Sequence, residues 1–307
     1  MFYFLWTFYS VLYYYKGSKV FLDILYIMYW SIFALFTVFS VGHIFGHTSA
    51  DSFEQNIANS ALHLSQSAYC MTHNSNWDCI TCDSSNKLDF VLEEHSELVI
   101  QGYNSDTNSL FVSFRGSANI PNWIDNIQLS KITPYTDKNI QVEKGFYKAY
   151  NYLKPDIIDN LHKLVTKYDT NRLFITGHSL GASMATLLAY DILTIYTEFQ
   201  LSYLITFGSP RVGNPEFVNS FTKYNKGVSY RFTHYYDIVP HVPEEFFGYL
   251  HLSNEIWFNE DNTHYDECND TGGEDPSCSN SCSPIHCTSV SDHLHYMNIT
   301  MGSDGTC

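Results

Sequence analysis

The segment Arg172–Ala182, RLFITGHSLGA, decides the fold. A strand-like run of apolar and β-branched residues leads directly into GHSLG, and a helix-forming run, ASMATLLAYDIL, follows. A turn this sharp puts Ser179 in strained backbone, and a side chain at Gly177 or Gly181 would collide with the neighbouring chain. The turn therefore predicts that Ser179 is a nucleophile. It also sets the Leu180 N–H at a helix N-terminus, where it favours a developing oxyanion.

The sequence around this segment alternates between strand and helix patterns. Two stretches carry apolar residues at helical spacing, Gly145–Tyr168 and Ser179–Tyr196. Four short apolar runs predict buried strands: 109–114, 172–176, 203–207 and 228–233. This alternation predicts one α/β domain with a mostly parallel sheet covered on both faces. Asn254–Asp292 is acidic, rich in Ser, Cys and Gly, and is predicted to be a loop.

The composition excludes several classes of protein. The 307 residues include 16 Lys+Arg and 32 Asp+Glu, a formal net charge of −16, which argues against nucleic-acid binding. A chain that is 45% hydrophobic and 16% charged is not disordered. The eight cysteines indicate disulfides in an oxidising compartment, or a metal. No obligate protein partner is indicated.

The N-terminal region has the pattern of a secretory leader. Ile24–Gly42 is a nearly continuous apolar run of 19 residues, with Lys16 and Lys19 before it and small residues after it. We expect residues 1–45 to be a signal peptide and residues 46–307 to be the folded domain. The length of the run leaves an uncleaved membrane anchor open, and Met28 is an alternative start.

A serine nucleophile needs a base that is oriented by a carboxylate. In α/β-hydrolases the chain order is Ser, Asp or Glu, then His. Asp237 follows a predicted strand and precedes a proline-limited turn, so it is the candidate acid, while His178 is predicted to be a packing residue. The residues alone leave the base open among His241, His251, His264, His286, His293 and His295. Ser117, at the exit of another strand, is the candidate second oxyanion donor.

Several motifs, in order, then resemble one family, the class 3 lipases of filamentous fungi. They are SAYC (67–70), WDCITCD (77–83), FVSFRGSANIPNWIDNI (111–127), GF (145–146), ITGHSLGA (175–182), FGSPRVGNPEF (207–217), DIVPHVP (237–243), FGYLH (247–251) and DHLHYMNI (292–299). The resemblance implies the α/β-hydrolase fold, with Ser179, Asp237 and His293 as the catalytic residues. It gives the oxyanion roles to Ser117 and Leu180.

The resemblance also implies a short helical lid over the site, at Ala118–Ile127. Its apolar face would consist of Ile120, Trp123, Ile124 and Ile127, and opening would expose that face to lipid. Pro121 stands where relatives often carry a basic residue, which leaves interfacial activation open. Ala182 follows the last motif glycine where relatives often have a second glycine. A packed surface helix is the alternative interpretation of the segment.

The cysteines are consistent with two kinds of site. A zinc site at Cys79, Cys82, Cys282, His286 and Cys287 is possible but lacks a second C-x2-C. The resemblance instead implies three disulfides, Cys70–Cys307, Cys79–Cys82 and Cys268–Cys278, and leaves Cys282 and Cys287 to close a small loop. We expect no metal and no cofactor. Asn269 and Asn298 are glycosylation sequons.

The resemblance therefore implies a secreted serine hydrolase that cleaves carboxylic esters of lipids at a lipid–water interface. A triacylglycerol lipase is the first expectation, with a phospholipase A1 or a feruloyl-type esterase as alternatives. A catalytically inactive binding protein on the same fold is the alternative outside enzymes. Residues 51–307 hold 31 acids and 14 bases. This acidity favours neutral lipids over anionic phospholipids.

Overall fold

The computed structural model describes residues 54–71, 76–127, 129–268, 272–282, 286–302 and 307. Gln55–Cys307 forms one compact unit. The expected leader, residues 1–45, lies outside the described residues, and so does Asn269. Within the described part of the chain, no helix combines the length and the hydropathy needed to cross a bilayer.

A twelve-strand, six-helix pattern can be traced through the described residues. The helices are α1 (Gln55–Cys70), α2 (Ile120–Asp125), α3 (Lys144–Tyr168), α4 (Leu180–Thr194), α5 (Pro215–Tyr224) and α6 (Val290–His293). The strands of the main sheet are β1 (Asn86–Glu94), β2 (Glu97–Asn104), β3 (Ser109–Phe114), β6 (Arg172–His178), β7 (Gln200–Phe207), β8 (Val228–His234), β9 (Glu255–Phe258) and β10 (Tyr265–Glu267). Two small ribbons consist of β4 (Lys131–Ile132) with β5 (Val142–Glu143), and β11 (His295–Tyr296) with β12 (Ile299–Thr300).

The main sheet has the strand order β1-β2-β3-β6-β7-β8-β9-β10. Five neighbouring strands pair in parallel: β3, β6, β7, β8 and β9. The outer strands β1, β2 and β10 run antiparallel to their neighbours. The prediction of a mostly parallel sheet is confirmed. Since parallel strands end at the same edge, the loops that follow β3, β6 and β8 come together there.

The two faces of the sheet are covered by different helices. Leu110, Val112 and Phe114 belong to the apolar core that contains residues of α3 and α4. The alternate residues face α1, where polar contacts fix the packing: Ser113 donates a hydrogen bond to the Leu64 carbonyl at 2.9 Å. Because both faces are buried, the central strands read as continuous apolar runs, which is why the sequence predicted them well.

The prediction of a loop over Asn254–Asp292 is wrong in three places, since β9 and β10 lie within that range and α6 begins in it. β9 begins with an acidic residue, Glu255, which is typical of a loop, but here the carboxylate is buried and has polar partners. Glu255 is 1% exposed, accepts a hydrogen bond from Thr233 at 2.5 Å and lies 3.5 Å from Arg231 Nη2. Arg231 is itself buried and donates to the Leu252 and Gly273 carbonyls. The following region is therefore held by buried polar contacts instead of being solvated.

Four disulfides close the structure: Cys70–Cys307, Cys79–Cys82, Cys268–Cys278 and Cys282–Cys287. The first joins the end of α1 to a residue 237 positions away. The sulfur atoms that a zinc site would need are thus joined to one another. In the part of the chain that the structure describes, one cluster has metal-like spacing, Glu255 with Cys268 and Cys278, and its two sulfur atoms also form a disulfide.

Candidate active site

The register of the sheet brings the ends of four strands into one row. Phe114 at the end of β3 pairs with Gly177 of β6, and His178 pairs with Phe207 of β7. Phe207 in turn pairs with Phe232 of β8. The segments that leave these ends carry Ser117, Ser179 and Asp237, so the topology alone brings three predicted site residues to one edge of the sheet.

Ser179 lies at a tight turn between β6 and α4. Its backbone has φ 59° and ψ −128°, a combination that costs about 1–3 kcal/mol for a residue with a side chain. A Cβ on Gly177 would lie 2.4 Å from the Gly181 carbonyl oxygen, and a Cβ on Gly181 would lie 2.2 Å from the Phe114 carbonyl oxygen. Both positions therefore require glycine, as the motif predicts, and the Ser179 N–H is tied to the Phe207 carbonyl at 3.0 Å.

Asp237 and His293 form a buried pair. The distance from His293 Nδ1 to Asp237 Oδ2 is 2.9 Å, and the two residues are 0% and 1% exposed at their side chains. The other carboxylate oxygen accepts the Val239 N–H at 2.8 Å. Asp237 also pairs with Ser289, just before α6, which brings the helix that carries His293 beside the acid. The carboxylate is thus fixed on both oxygens and fixes the imidazole.

The remaining nitrogen of His293 is available for chemistry. Because Nδ1 donates to Asp237, Nε2 is the ring nitrogen that is left to accept a proton. In the described part of the chain, His293 Nε2 and Ser179 Oγ are both buried and neither has a hydrogen-bond partner. Gly208 leaves the space for this ring, since a Cβ there would lie 2.7 Å from His293 Cε1. An unpaired base and an unpaired hydroxyl therefore share one buried site.

Tyr296 contributes a contact that the sequence did not predict. Its hydroxyl donates to Asp237 Oδ2 at 2.6 Å, the same oxygen that His293 contacts. Burial, and then the nearby Asp237 carboxylate, raise the pKa of Tyr296 well above its usual value, so it stays protonated and keeps donating. Its place in the DHLHY motif was the available signal, but the spacing alone does not say that this ring turns back to Asp237.

His178 packs beneath the base. The Tyr69 hydroxyl donates to His178 Nδ1 at 2.7 Å, and His178 Nε2 donates to the His293 carbonyl at 2.8 Å. The two imidazole rings stack with centroids 4.4 Å apart. Burial and the neighbouring His293 lower the pKa of His178 well below its usual value, so this ring is neutral. Tyr69, at the end of α1, is a second site residue that the sequence did not predict.

The loop after β3 lies directly against the turn that holds Ser179. A Cβ on Gly116 would lie 2.7 Å from the His178 carbonyl oxygen and 3.1 Å from Ser179 Cβ. The Ser117 hydroxyl accepts the Asn119 N–H at 3.2 Å, which leaves its proton free to donate. Leu180 is the first residue of α4, so its N–H has no carbonyl partner within the helix. Both candidate oxyanion donors thus lie beside the tight turn that holds Ser179.

The predicted lid contains a helix, but one shorter than Ala118–Ile127. The helix α2 begins after Asn119, whose side chain accepts the Asn122 N–H at 3.2 Å. Pro121 occupies the first turn, where its missing N–H costs nothing. The predicted apolar face points inward: Ile120 is buried, Trp123 stacks on Phe146 with centroids 5.9 Å apart, and Ile124 and Ile127 are half-buried.

The other candidate bases lie elsewhere. His295 is exposed and contacts the Ser291 carbonyl at 2.8 Å, and His264 and His286 are also exposed. His241 is buried, and His251 is buried with its Nε2 on the Pro240 carbonyl at 2.7 Å. Within the described residues, His293 alone of the candidates has a hydrogen bond to Asp237. Of the sequons, Asn298 is exposed in the turn between β11 and β12.

The fold and this site define a carboxylic ester hydrolase of the α/β-hydrolase class. A sequence model of the family described as Lipase (class 3) matches residues 111–247. A lipase from Rhizomucor miehei is 32% identical over 78% of this chain and 67% of its own length. The chain belongs to the class 3 lipase family.

Two further comparisons agree with this assignment. A secreted mono- and diacylglycerol lipase A from Penicillium cyclopium is 35% identical over 51% of this chain and 50% of its own length. The chain therefore spans about two thirds of the first relative and half of the second. A solved structure described as a triacylglycerol lipase with a serine protease triad as its catalytic centre is 31% identical, with a TM-score of 0.74, and covers 82% of this chain and 97% of the other.

Proposed function

We propose that this chain is a secreted triacylglycerol lipase that acts through an acyl-enzyme on Ser179. The observation that carries the proposal is the buried Asp237–His293 pair, whose free Nε2 shares a site with the unpaired Ser179 hydroxyl. One sequence relative and one similar solved structure support the substrate class, since both carry the names of acylglycerol lipases.

The proposed chemistry uses each of these residues in turn. His293 Nε2 takes the Ser179 proton as the hydroxyl attacks the ester carbonyl, and Asp237 stabilises the imidazolium that forms. The oxyanion is received by the Leu180 N–H and by Ser117, and one such donor is typically worth about 3 kcal/mol. His293 then protonates the leaving alkoxide, and water hydrolyses the acyl-enzyme with the same roles reversed. No cofactor enters the scheme.

Substrate entry requires a movement of the chain, because Ser179 and His293 are both 0% exposed. We propose α2 as the element that moves. Its inward face is apolar, and its main aromatic contact, Trp123 on Phe146, is one that an apolar substrate surface can replace. Leaving the site would turn Ile120 and Trp123 toward lipid.

The test is a substrate panel run below and above the aggregation threshold of the lipid. Rates that rise when triacylglycerol droplets form support the lipase. Preference for phospholipid points to a phospholipase A1, and preference for soluble aryl esters to a feruloyl-type esterase. Ser179→Ala is the matched control and must remove turnover. If no ester is hydrolysed and no organophosphonate labels Ser179, the inactive binding protein is the correct interpretation.

We also propose that residues 1–45 are a secretory signal, with a membrane anchor as the alternative. The support is the apolar run behind Lys16 and Lys19, the disulfides, and a relative that is described as secreted. Expression in a secreting host tests this: N-terminal sequencing of protein from the medium gives the cleavage site. Protein that stays in the membrane fraction with its leader contradicts cleavage.

A mass shift on glycosidase treatment, lost in Asn269→Gln or Asn298→Gln, tests the two sequons.

A further inference from the structure

Phe246 is the most exposed large apolar side chain in the described part of the chain, at 92%. Its ring is in edge contact with that of Phe247, with centroids 5.5 Å apart. Phe247 and Leu129 are also exposed, at 42% and 44%. We call Leu129, Phe246 and Phe247 the Phe246 patch. An exposed aromatic pair of this kind marks an interaction site more often than a single exposed leucine does.

The backbone beneath the patch is firmly held. A short 3-10 turn, Glu245–Phe247, is closed by hydrogen bonds from Phe247 N–H to the Glu244 carbonyl at 3.0 Å and from Gly248 N–H to the Glu245 carbonyl at 2.8 Å. Gly248 has φ 72°, which allows the chain to turn back. Lys131 donates to the Phe247 carbonyl. The exposed rings therefore stand on an ordered turn.

A buried ion pair anchors the base of this turn. The Arg211 side chain is paired with Glu274 through two hydrogen bonds, of 2.7 and 2.9 Å. Arg211 also donates from its backbone N–H to the Val242 carbonyl at 3.0 Å and from Nη1 to the Pro243 carbonyl at 3.2 Å. Because Arg211 is 3% exposed, the residues that lead into the turn are fixed to the interior.

The patch is connected along the chain to the segment that carries Asp237. The chain leaves β8, forms Asp237 and the turn Val239–His241, and reaches the patch a few residues later. Leu129 belongs to the segment that follows α2, and its carbonyl accepts a hydrogen bond from the Tyr249 hydroxyl at 3.3 Å. The patch thus joins the segment of the acid to the segment of the proposed lid.

The charges around the patch select its partner. Glu244 and Glu245 directly precede Phe246, and the neighbouring cation, Lys131, is engaged with the Phe247 carbonyl and the Tyr249 ring. Carboxylates next to an inserted ring repel an anionic surface and leave an uncharged one acceptable. A shallow insertion of aromatic rings is how interfacial elements bind lipid.

We propose that the Phe246 patch docks the enzyme on the uncharged surface of acylglycerol droplets, by contacts that do not require α2 to open. This inference rests on the proposed function. It assigns to Phe246 a role in binding the aggregate that is separate from the chemistry at Ser179.

The first experiment measures flotation with triolein droplets in the Ser179→Ala background, where no lipid is consumed. Burying a phenylalanine ring is worth about tenfold or more in an equilibrium constant, so Phe246→Ser should weaken droplet binding by that factor. The control is Ile195→Ser, which removes a 50% exposed side chain beyond the far end of α4. That helix has 15 residues and separates Ile195 from Ser179 by about 22 Å. Ile195→Ser should bind as the parent does.

A second arm uses the intact active site. Phe246→Ser should keep the turnover of a soluble short-chain ester and lose turnover on droplets. Equal droplet binding by Phe246→Ser and its parent would overturn the proposal, as would an equal loss in Ile195→Ser. Binding that strengthens when phosphatidylglycerol is added to the droplets would overturn the charge argument. Failure of the proposed function looks different: the parent hydrolyses no ester, whatever the flotation result.

Discussion

Tyr296→Phe removes one hydroxyl from the candidate site and leaves the ring in place. That hydroxyl donates to Asp237 Oδ2 at 2.6 Å, beside the 2.9 Å contact from His293. A hydrogen bond to a buried charged group is worth about 1.5–3 kcal/mol. We therefore expect the free energy of unfolding to fall by about 2 kcal/mol, which lowers Tm by roughly 4–8 °C for a domain of this size.

The effect on catalysis follows from where charge develops. In the proposed mechanism His293 is positively charged in the transition state, and its stabilisation depends on a fixed Asp237 carboxylate. If most of the ~2 kcal/mol is expressed there, kcat/KM falls about 10- to 30-fold. Steady-state kinetics on a soluble short-chain ester measures this without a contribution from droplet binding.

Tyr150→Phe is the matched control. The Tyr150 hydroxyl donates to Asp191 at 2.8 Å, and both residues are 0% exposed, but this pair lies between α3 and α4, away from the site. It should cost a similar amount of stability and leave kcat/KM unchanged. If Tyr296→Phe loses stability but keeps parental kcat/KM, or loses no more activity than Tyr150→Phe, the hydroxyl does not position the acid and the reasoning is wrong.

Three further predictions concern the base, the disulfides and pH. His293→Ala should abolish ester turnover and His295→Ala should keep it within about twofold, because His293 is the one in contact with Asp237; an inactive His295→Ala with an active His293→Ala would reverse the assignment. Replacing Cys70 and Cys307 by serine should lower the free energy of unfolding by roughly 5 kcal/mol, and replacing Cys79 and Cys82 should lower it by roughly 2 kcal/mol. The difference arises because the first disulfide closes a loop of 237 positions and the second a loop of 3. Equal losses in urea unfolding would contradict this prediction. Burial lowers the pKa of His251 well below its usual value. As the pH falls below about 6.5, the unfolded chain therefore binds a proton at this residue that the folded chain does not bind. The free energy of unfolding then falls by up to about 1.4 kcal/mol per pH unit. Urea unfolding across that range should show a shallower loss for His251→Gln; an unchanged slope would mean that His251 is not the titrating group.

The parts of the fold that sequence predicted are those whose determinants are local. The tight turn at Ser179 depends on Gly177 and Gly181, two residues to either side of it. Backbone atoms lie so close to these two positions that only glycine fits there. The central strands could be predicted from the sequence because both faces of the sheet are buried, so that nearly every side chain in them is apolar or small. The helix α3 begins and ends within a residue of its prediction.

Long-range contacts account for what the sequence did not predict. Glu255 made β9 look like part of a loop, and only its partners Thr233 and Arg231, on the neighbouring strand, make its burial tolerable. Tyr69 and His178 are 109 positions apart in the chain. Nothing in the local pattern of either residue indicates that they meet.

The choice of base illustrates the same limit. Six histidines follow Asp237, and their local sequences do not distinguish a catalytic ring from a packed one. His251 and His293 are both buried, and the difference between them is the partner: a backbone carbonyl for His251 and the Asp237 carboxylate for His293. A motif shared with a family selected His293, and its contact with the Asp237 carboxylate is the physical reason for proposing it as the base.

The position of the buried Arg231 has a consequence for the resistance of the chain to proteases. It is the last basic residue, so the final 76 residues contain no lysine or arginine. Proteases of trypsin specificity find no bond to cut from Phe232 to Cys307, and the bond after Arg231 lies within β8, where Arg231 is 4% exposed and Phe232 is fully buried. Asp237 and His293 therefore stay on one uncut length of chain even when the sheet unfolds.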